Sequence, residues 1–228
     1  MLTKWLNQIV KYFIKGLNYL KVSILEEQLS TEEKIKKAAE SVFLLRGLEG
    51  ARMQEIADAA GINKALLHYY FRNKESLFEG ILNDKLLKVF GVFQIWFQTE
   101  LPLGQRLRQF VHAEIDIISE FPILPLFVLT EARKNPNMIP EKMGRLPISG
   151  LRQSLDKMFE EEYQKGNMRK TSVEELLVNT VSLCIYPIVA APVFSFILDL
   201  SEERYQQFMM ERKELVADLM IREYQIQY

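Results

Sequence analysis

Cysteine and histidine are scarce in this chain of 228 residues, which has one cysteine, Cys184, and two histidines, His68 and His112. A single cysteine excludes a disulfide framework within the chain and is typical of proteins in a reducing compartment. The sequence has no Cys/His cluster with metal-ligand spacing, no glycine-rich phosphate loop and no Gly-x-Ser-x-Gly elbow. We therefore expect a cytoplasmic protein that uses no metal or cofactor and is not an enzyme.

Net charge is also small, because 29 Lys and Arg balance 30 Asp and Glu to give a formal charge of −1. This balance argues against a broadly basic nucleic-acid-binding protein, although it is compatible with a local basic face. Gly and Pro number only 10 and 8. Strand-like alternation is rare, whereas apolar residues recur at helical spacing. The pattern predicts an all-α fold.

Residues 1–29 have the pattern of an N-terminal amphipathic extension. Their apolar residues recur at helical spacing, and Lys11, Lys15 and Lys21 interrupt the apolar run that a secretory signal requires. No acidic residue precedes Glu26. Such a basic helix either packs on protein or lies on a membrane surface. We favour a packing helix, or upstream residues that a wrongly assigned start has added.

Capping residues and glycines divide the first half of the chain into helices. Ser30 or Thr31 can cap the first helix, and Gly61 can end the second because glycine tolerates a positive φ. Asn63 can cap the third. The predicted helices cover 31 to about 50, 53–60, 64–71 and 74 to about 98.

The second and third of these helices have helix-turn-helix spacing. Ala57 is small enough for two helices to cross closely, and the turn at Gly61 has the expected three to four residues. In such motifs the second helix enters the DNA major groove. Similar turns also occur in unrelated helical proteins, so the spacing alone leaves a solvated hairpin that binds nothing as an alternative.

The helix over 64–71 has two distinct faces. Leu67, Tyr70 and Phe71 fall at i, i+3 and i+4, and we expect them to face the core. Between Gly61 and Lys74 there are three cations and no carboxylate, a local charge that favours DNA. The candidate DNA contacts are Arg52, Met53, Asn63, Lys64, Ala65, Leu66, His68, Tyr69, Arg72 and Lys74.

The segment "QEIADAAGINKALLHYYFRNKESLF" resembles the N-terminal signature of the TetR/AcrR family of bacterial repressors. The preceding "IKKAAESVFLLRGLEGARMQEIA" is similar to the first helix and turn of that family. Leu66 and His68 fall where the family has variable base-reading residues. The resemblance covers residues 31 to about 82 and implies a homodimeric, all-helical regulator. Its expected parts are the extension at 1–29, a helix-turn-helix DNA-binding domain at 30–82, and a helical ligand-binding and dimerisation domain at 83–228.

The second half of the chain is rich in aromatic and apolar residues. The segment "KLLKVFGVFQIWF" is apolar nearly all round, which predicts a buried helix. The two prolines of "FPILPLFVL" can bend a helix, and bent aromatic helices can surround an apolar cavity. Plain core packing is the alternative for each single aromatic. The candidate ligand-binding residues are Phe93, Trp96, Phe97, Phe110, Phe127, Phe159 and Tyr186.

Residues 176–198 contain no charged residue and reach the length of a membrane span. Prolines and polar residues interrupt this run, so we expect no stable membrane insertion. A buried helix at a subunit interface explains the same pattern. In the resembling family the last two long helices form that interface, and this chain has a matching pair at about 172–198 and 201–226. These helices predict a homodimer.

The favoured hypothesis is a ligand-responsive transcriptional repressor. It would bind a near-palindromic operator in double-stranded DNA as a homodimer, and a small apolar molecule would release it. One alternative is a membrane-associated helical protein that uses residues 1–25 and 176–198. A less favoured alternative is an all-helical enzyme in which His112 acts with Glu114 or Asp116, although no nucleophile or metal motif accompanies them.

Overall fold

The computed structural model describes residues 30–134, 136–137 and 150–227, and the predicted extension at 1–29 lies outside them. The described residues contain α helices and one 3₁₀ helix but no strand, which confirms the all-α prediction. The chain divides into two compact units between Asp84 and Lys85. The helices are α1 Thr31–Gly50, α2 Met53–Ala60, α3 Lys64–Tyr70, α4 Lys74–Val92, the 3₁₀ helix Phe93–Phe97, α5 Leu103–Glu120, α6 Ile123–Lys134, α7 Leu151–Gln164, α8 Val173–Val189, α9 Ala191–Ile197 and α10 Glu202–Glu223.

In the first unit, α1 begins at the capping residue that the sequence predicts. The Glu33 backbone N–H donates to Ser30 Oγ at 3.2 Å, and the Ser30 N–H donates to Glu33 Oε2 at 2.9 Å. This capping box satisfies two backbone donors at once. Further along α1, the buried Phe43 packs edge-on against Phe78 of α4, with ring centroids 5.1 Å apart. Helices α1 and α4 therefore contribute to one core, together with the buried Ile56 of α2 and Leu67 of α3.

In the second unit, α5 is the central helix. It packs against α8, α10 and the 3₁₀ helix, and its apolar side is buried along its whole length. The loss of this apolar surface from water is the main stabilising contribution to such a bundle. The position of α5 therefore determines what the interior of the second unit can contain.

A buried ion pair fixes the N-terminal half of α5. Arg106 Nη2 lies 3.2 Å from Glu162 Oε1 of α7, and the side chains of both residues are almost fully buried. Arg106 also donates from Nε to Leu101 O at 2.9 Å and from Nη1 to Trp96 O at 3.1 Å. Asn167 donates to Glu162 Oε2 at 2.7 Å. Burial opposes ionisation of Glu162, but the hydrogen bonds from Asn167 and Lys165 and the charge of Arg106 hold the pKa of its carboxyl below the usual range.

Residues 224–227 are bonded into the same region through their backbone. Gly104 N–H donates to Gln227 O at 3.1 Å, and Gln227 N–H donates to Asn167 O at 2.8 Å. Arg169 N–H donates to Tyr224 O at 2.9 Å, and Tyr224 is fully buried. This tail therefore joins the start of α5 to the turn after α7.

The predicted helix over 74–98 is not α-helical throughout. It ends as an α helix at Val92 and continues as the 3₁₀ helix to Phe97. Carbonyls at a helix end need other partners, and Arg106 provides one for Trp96 O. The Arg106 side chain, which comes from the next helix, thus stabilises the 3₁₀ helix that follows α4.

The predicted helix over 172–198 is broken in two at Ala190. Pro187 within α8 has no N–H to donate to Leu183 O, and Arg212 Nε of α10 donates to that carbonyl instead, at 3.0 Å. Pro192 then lies in the first turn of α9. Among the described residues no single helix is long and apolar enough to span a membrane. By length and composition alone, α8 and α9 pass that test together, but they are bent by 68°.

We predict that Arg106→Met lowers the free energy of unfolding of the protein by up to about 3–5 kcal/mol, because it removes the buried charge partner of the Glu162 carboxylate and leaves only the exposed Lys165 as a cation beside it. Since the pKa of Glu162 is depressed in the fold, this ion pair stabilises the protein above the unfolded carboxyl pKa. That stabilisation is lost as the pH falls through the folded pKa. Urea unfolding at pH 7 and pH 4 measures both effects.

Arg152→Met is the matched control, because Arg152 forms an exposed ion pair with Asp156. We expect it to change stability far less than Arg106→Met does. Equal losses for the two variants would contradict the assignment of the Arg106 ion pair as a principal contributor to the second unit.

Candidate nucleic-acid interface and interior polar site

The turn between α2 and α3 has the geometry that the sequence predicts. Gly61 has φ 68° and ψ 30°, a left-handed conformation that glycine adopts without steric cost. Ile62 N–H donates to Ala57 O at 3.0 Å, which closes the end of α2. Asn63 Oδ1 accepts from Leu66 N–H at 2.8 Å and caps α3. Asn63 is therefore first a capping residue, and only its amide NH₂ is left for DNA.

Helix α3 buries one residue and exposes most of the others. Leu67 is fully buried and Phe71, just after the helix, is 9% exposed. Tyr70 was predicted to face the core with them, but it is 39% exposed and packs edge-on against Tyr69 at 5.4 Å. The prediction for Tyr70 is wrong because so short a helix buries only a narrow stripe of its surface. The exposed candidates on α3 and just after it are Lys64, Ala65, Leu66, His68, Tyr69 and Arg72.

The exposed part of α3 has an uncompensated positive charge. Within the described part of the chain, neither Lys64 nor Arg72 has an ion-pair partner, and both side chains are exposed. Tyr69 is 82% exposed, so its hydroxyl is in solvent. Cations and hydroxyls on one short helix are the groups that bind DNA phosphates.

The imidazole of His68 is oriented by the backbone at the end of α3. His68 Nδ1 lies 3.1 Å from Arg72 O. Because a carbonyl oxygen only accepts, this contact requires the proton on Nδ1. In the neutral ring, Nε2 is then an acceptor. His68 therefore offers a fixed acceptor on an exposed helix.

Of three candidate DNA contacts outside α3, one is exposed and two are half-buried. Lys74 is half-buried, and its Nζ donates to Glu49 O at 2.9 Å. Arg52 is exposed at the start of α2, where no side chain caps the first backbone N–H groups, and Met53 is half-buried beside it. Uncapped N–H groups at a helix start suit a phosphate. Lys74 thus has a structural bond that the sequence did not indicate, while Arg52 remains free to reach DNA.

Four of the interior candidates form one aromatic cluster in the second unit. The ring centroid of Phe110 lies 5.3 Å from that of Phe93 and 5.2 Å from that of Trp96. The centroids of Trp96 and Phe159 are 5.8 Å apart. We call Phe93, Trp96, Phe110 and Phe159 the aromatic cluster. These contacts bring together residues of the 3₁₀ helix, α5 and α7. The indole Nε1 of Trp96 is buried and has no hydrogen-bond partner among the described residues.

The other three interior candidates lie elsewhere. Phe97 and Phe127 are half-buried. Tyr186 is 62% exposed on α8 and contacts Phe194 of α9 at 5.8 Å. The structure therefore does not place Tyr186 in the interior where the sequence prediction put it, because the bend at Ala190 brings α9 against this face of α8.

A buried carboxyl on α5 is the functional candidate whose placement the sequence did not show. Glu114 is 2% exposed, and its Oε2 has no hydrogen-bond partner in the described residues. Burial raises the pKa of Glu114 to about 7. Burial likewise raises the pKa of the Cys184 thiol of α8 to about 12, with a further contribution from the charge of Glu114. Buried polar atoms that lack partners are rare and often mark function.

The residues of the enzyme hypothesis do not act on one another. His112 Nε2 lies 3.0 Å from Glu214 Oε1 of α10, without hydrogen-bond geometry. Asp116 forms an ion pair with Lys213 of α10, and Glu114 is buried. The three side chains therefore have separate environments in the structure.

Comparison with known proteins finds a family match within the first unit. Residues 35–81 match the family described as bacterial regulatory proteins, tetR family. The transcriptional repressor KstR2 of Mycolicibacterium smegmatis is 35% identical over 65 residues, which are 28% of this chain and 32% of that protein. The transcriptional activator FasR of the same organism is 36% identical over 81 residues, 36% of this chain and 37% of that protein. The chain thus spans about a third of the length of these curated relatives.

The fold as a whole is also found in solved structures. The fatty acid degradation regulator FadR of Bacillus halodurans superposes with a TM-score of 0.54 at 16% identity, covering 84% of this chain and 97% of that chain. At this identity the likeness concerns the fold alone. Together the matches confirm the family resemblance and the architecture of an N-terminal helix-turn-helix followed by a helical domain.

We predict that Glu114→Gln makes stability less dependent on pH. Because folding raises the pKa of Glu114 from 4.5 to about 7, the unfolded state ionises first and the wild type loses stability as the pH rises between these values. The wild type should lose about 3 kcal/mol relative to Glu114→Gln between pH 4.5 and pH 8. Urea unfolding across this range measures the difference. Glu120→Gln, a change at an exposed position of α5, should follow the wild type, and parallel curves for all three proteins would refute the raised pKa.

Proposed function

We propose that this member of the tetR family of bacterial regulatory proteins is a ligand-responsive transcriptional repressor. It binds a near-palindromic operator in double-stranded DNA as a homodimer, and a small apolar molecule releases it. One observation carries the DNA-binding part: Lys64, His68 and Tyr69 of α3 and Arg72 just after it are exposed, while Leu67 holds the helix to the core. A protein that binds operators in this way works in the cytoplasm.

The exposed residues of α3 divide into two roles. Lys64, Tyr69 and Arg72 supply cations and a hydroxyl, which position the helix on phosphates without selecting a sequence. His68 supplies an acceptor whose orientation is fixed by Arg72 O. In the major groove, adenine and cytosine present amino donors. His68 Nε2 therefore suits one of these two bases.

The first experiment selects binding sites from randomised duplex DNA with the purified full chain, and the selected sites should be inverted repeats. His68→Ala should then lose discrimination at one base of each half-site, equivalent to about 1–3 kcal/mol. Tyr69→Phe should weaken binding by a similar factor on all sequences. Fluorescence anisotropy on selected and substituted duplexes measures both effects.

The control for His68→Ala is His112→Ala, which removes the only other histidine in the sequence. It should leave base discrimination unchanged. If His68→Ala weakens selected and random DNA equally, His68 is a positioning residue. If no sequence is enriched in the selection, the DNA-binding proposal fails.

Exposed apolar side chains on the last helices support the homodimer. Phe196 of α9 is 86% exposed, and Val178 of α8 and Leu215 of α10 are also exposed. Large apolar side chains exposed on neighbouring helices are unfavourable in water, and apolar surface is typical of interfaces. A second copy of the chain would cover it through α8 and α10, the two helices predicted from the sequence.

We predict a dimer in sedimentation experiments at micromolar concentration. Val178→Glu and Leu215→Glu should each weaken the dimer by at least about tenfold, or 1.4 kcal/mol, because each places a charge in an apolar interface. Leu129→Glu on α6, which changes an equally exposed leucine, should leave the dimer intact. Dissociation by Leu129→Glu alone would place the interface on α6, and a wild-type monomer would exclude the dimer.

The ligand response is proposed to act through α4. This helix begins at Lys74, which bonds to Glu49 O in the first unit, and it leads directly into the 3₁₀ helix that carries Trp96. If the 3₁₀ helix and α4 move together between two positions, a ligand that binds one position more tightly increases the population of that position at the start of α4 as well. The aromatic cluster supports an effector with an apolar body.

A further inference from the structure

Three buried ionisable side chains of the second unit fall into two groups, two with hydrogen-bond partners and one with an oxygen that has none among the described residues. Arg106 and Glu162 are paired with each other, and their remaining polar atoms are bonded to Leu101 O, Trp96 O and Asn167. Glu114, at a similar degree of burial, has an oxygen without any such partner among the described residues. A buried carboxyl without a partner costs stability. Glu114 thus has no structural role that an apolar residue could not fill better.

The unpaired carboxyl lies next to the aromatic cluster. Glu114 follows Phe110 by four residues on α5, so both side chains are on the same side of the helix. The ring of Phe110 contacts Trp96, whose indole Nε1 is another of the buried polar atoms without a hydrogen-bond partner among the described residues. Glu114 and Phe110, the member of the aromatic cluster that contacts Trp96, are therefore about one helical turn, roughly 6 Å, apart along α5.

The cations close to this region have other contacts. Arg212 of α10 donates to Leu183 O, and its guanidinium carbon lies 5.6 Å from the Phe208 ring centroid. Arg108 is paired with Glu214 and Asp218 on the surface. Cys184 is a neutral thiol, because burial raises its pKa to about 12. Among the described residues, these groups therefore supply no counter-charge for Glu114.

We propose that the second unit binds a lipophilic amine, with the ammonium group paired to Glu114 and the apolar body against the aromatic cluster. This inference rests on the proposed ligand response and narrows the effector to one chemical class. An ammonium group supplies both a charge and a hydrogen-bond donor to the carboxylate. It also gains from the face of a nearby indole ring. A fatty acid would instead bring a second carboxyl group next to Glu114 in a medium of low polarity.

The test uses three probes with the same apolar chain: decylamine, decanol and decanoate. The full chain with Trp5→Phe keeps Trp96 as its single tryptophan, since the sequence has only two. Trp96 fluorescence is titrated with each probe at pH 8, below the concentration at which the probe forms micelles. Decylamine should bind at least about tenfold more tightly than decanol, and decanoate should bind most weakly.

Glu114→Gln in the same background removes the charge and keeps the shape of the side chain. It should weaken decylamine binding at least about tenfold and leave decanol binding unchanged. Glu120→Gln, at an exposed position of the same helix, is the matched control and should leave both affinities unchanged. Thermal unfolding of each variant verifies that it is folded.

The proposal is wrong if the Trp5→Phe protein binds decylamine and decanol with equal affinity, or does not bind decylamine at all. Neither result depends on how the Glu114→Gln protein behaves. An unchanged decylamine affinity in Glu114→Gln would also overturn the proposal. The result is separable from the DNA-binding proposal, because the selected operator is titrated without probe. Operator binding without amine binding refutes this inference alone, whereas amine binding without operator binding refutes the proposed regulator.

Discussion

The burial of Arg106 is the constraint on which the second unit depends. Its guanidinium bonds to carbonyls at both ends of the segment between the 3₁₀ helix and α5, and to Glu162 of α7. A guanidinium is always charged and has five donors, so it can occupy this position only if several acceptors converge on it. The 3₁₀ turn, the start of α5 and the end of α7 are therefore held in one arrangement. The aromatic cluster forms between these same elements, so its geometry follows from the placement of one charge.

Two buried glutamates of this unit have opposite pKa shifts because their surroundings differ. Glu162 is surrounded by donors and a cation, and its pKa lies below the usual range although burial opposes ionisation. Glu114 has burial alone, and its pKa lies near 7. The first is a structural anion. The second changes charge near neutrality and has an open acceptor, which are the properties of a group that recognises something outside the chain.

The sequence predicted best those features that depend on neighbouring residues. The cap at Ser30, one of the two residues predicted for it, the left-handed Gly61 and the Asn63 cap are each local, and the structure contains all three. The features that the sequence did not indicate depend on distant partners. Lys74 bonds to the carbonyl of Glu49, 25 residues away, and the end of α4 depends on Arg106. Glu114 lies in "HAEID", which reads as a surface segment until α8 and α10 cover it. Tyr70 was misplaced because helical periodicity does not state how wide the buried stripe is.

The bonding of residues 224–227 to α5 and to the turn after α7 has a consequence for the order of assembly during synthesis. The acceptor for Gly104 N–H is Gln227 O, so a contact at the start of α5 must wait for residues translated more than a hundred positions later. The first unit has no such requirement, because the partners that form its core lie within residues 30–84. On the ribosome, the helix-turn-helix can therefore fold while the second unit is still incomplete. Chains that stop short of residue 224 would carry an intact helix-turn-helix on a second unit that has lost its closing contacts.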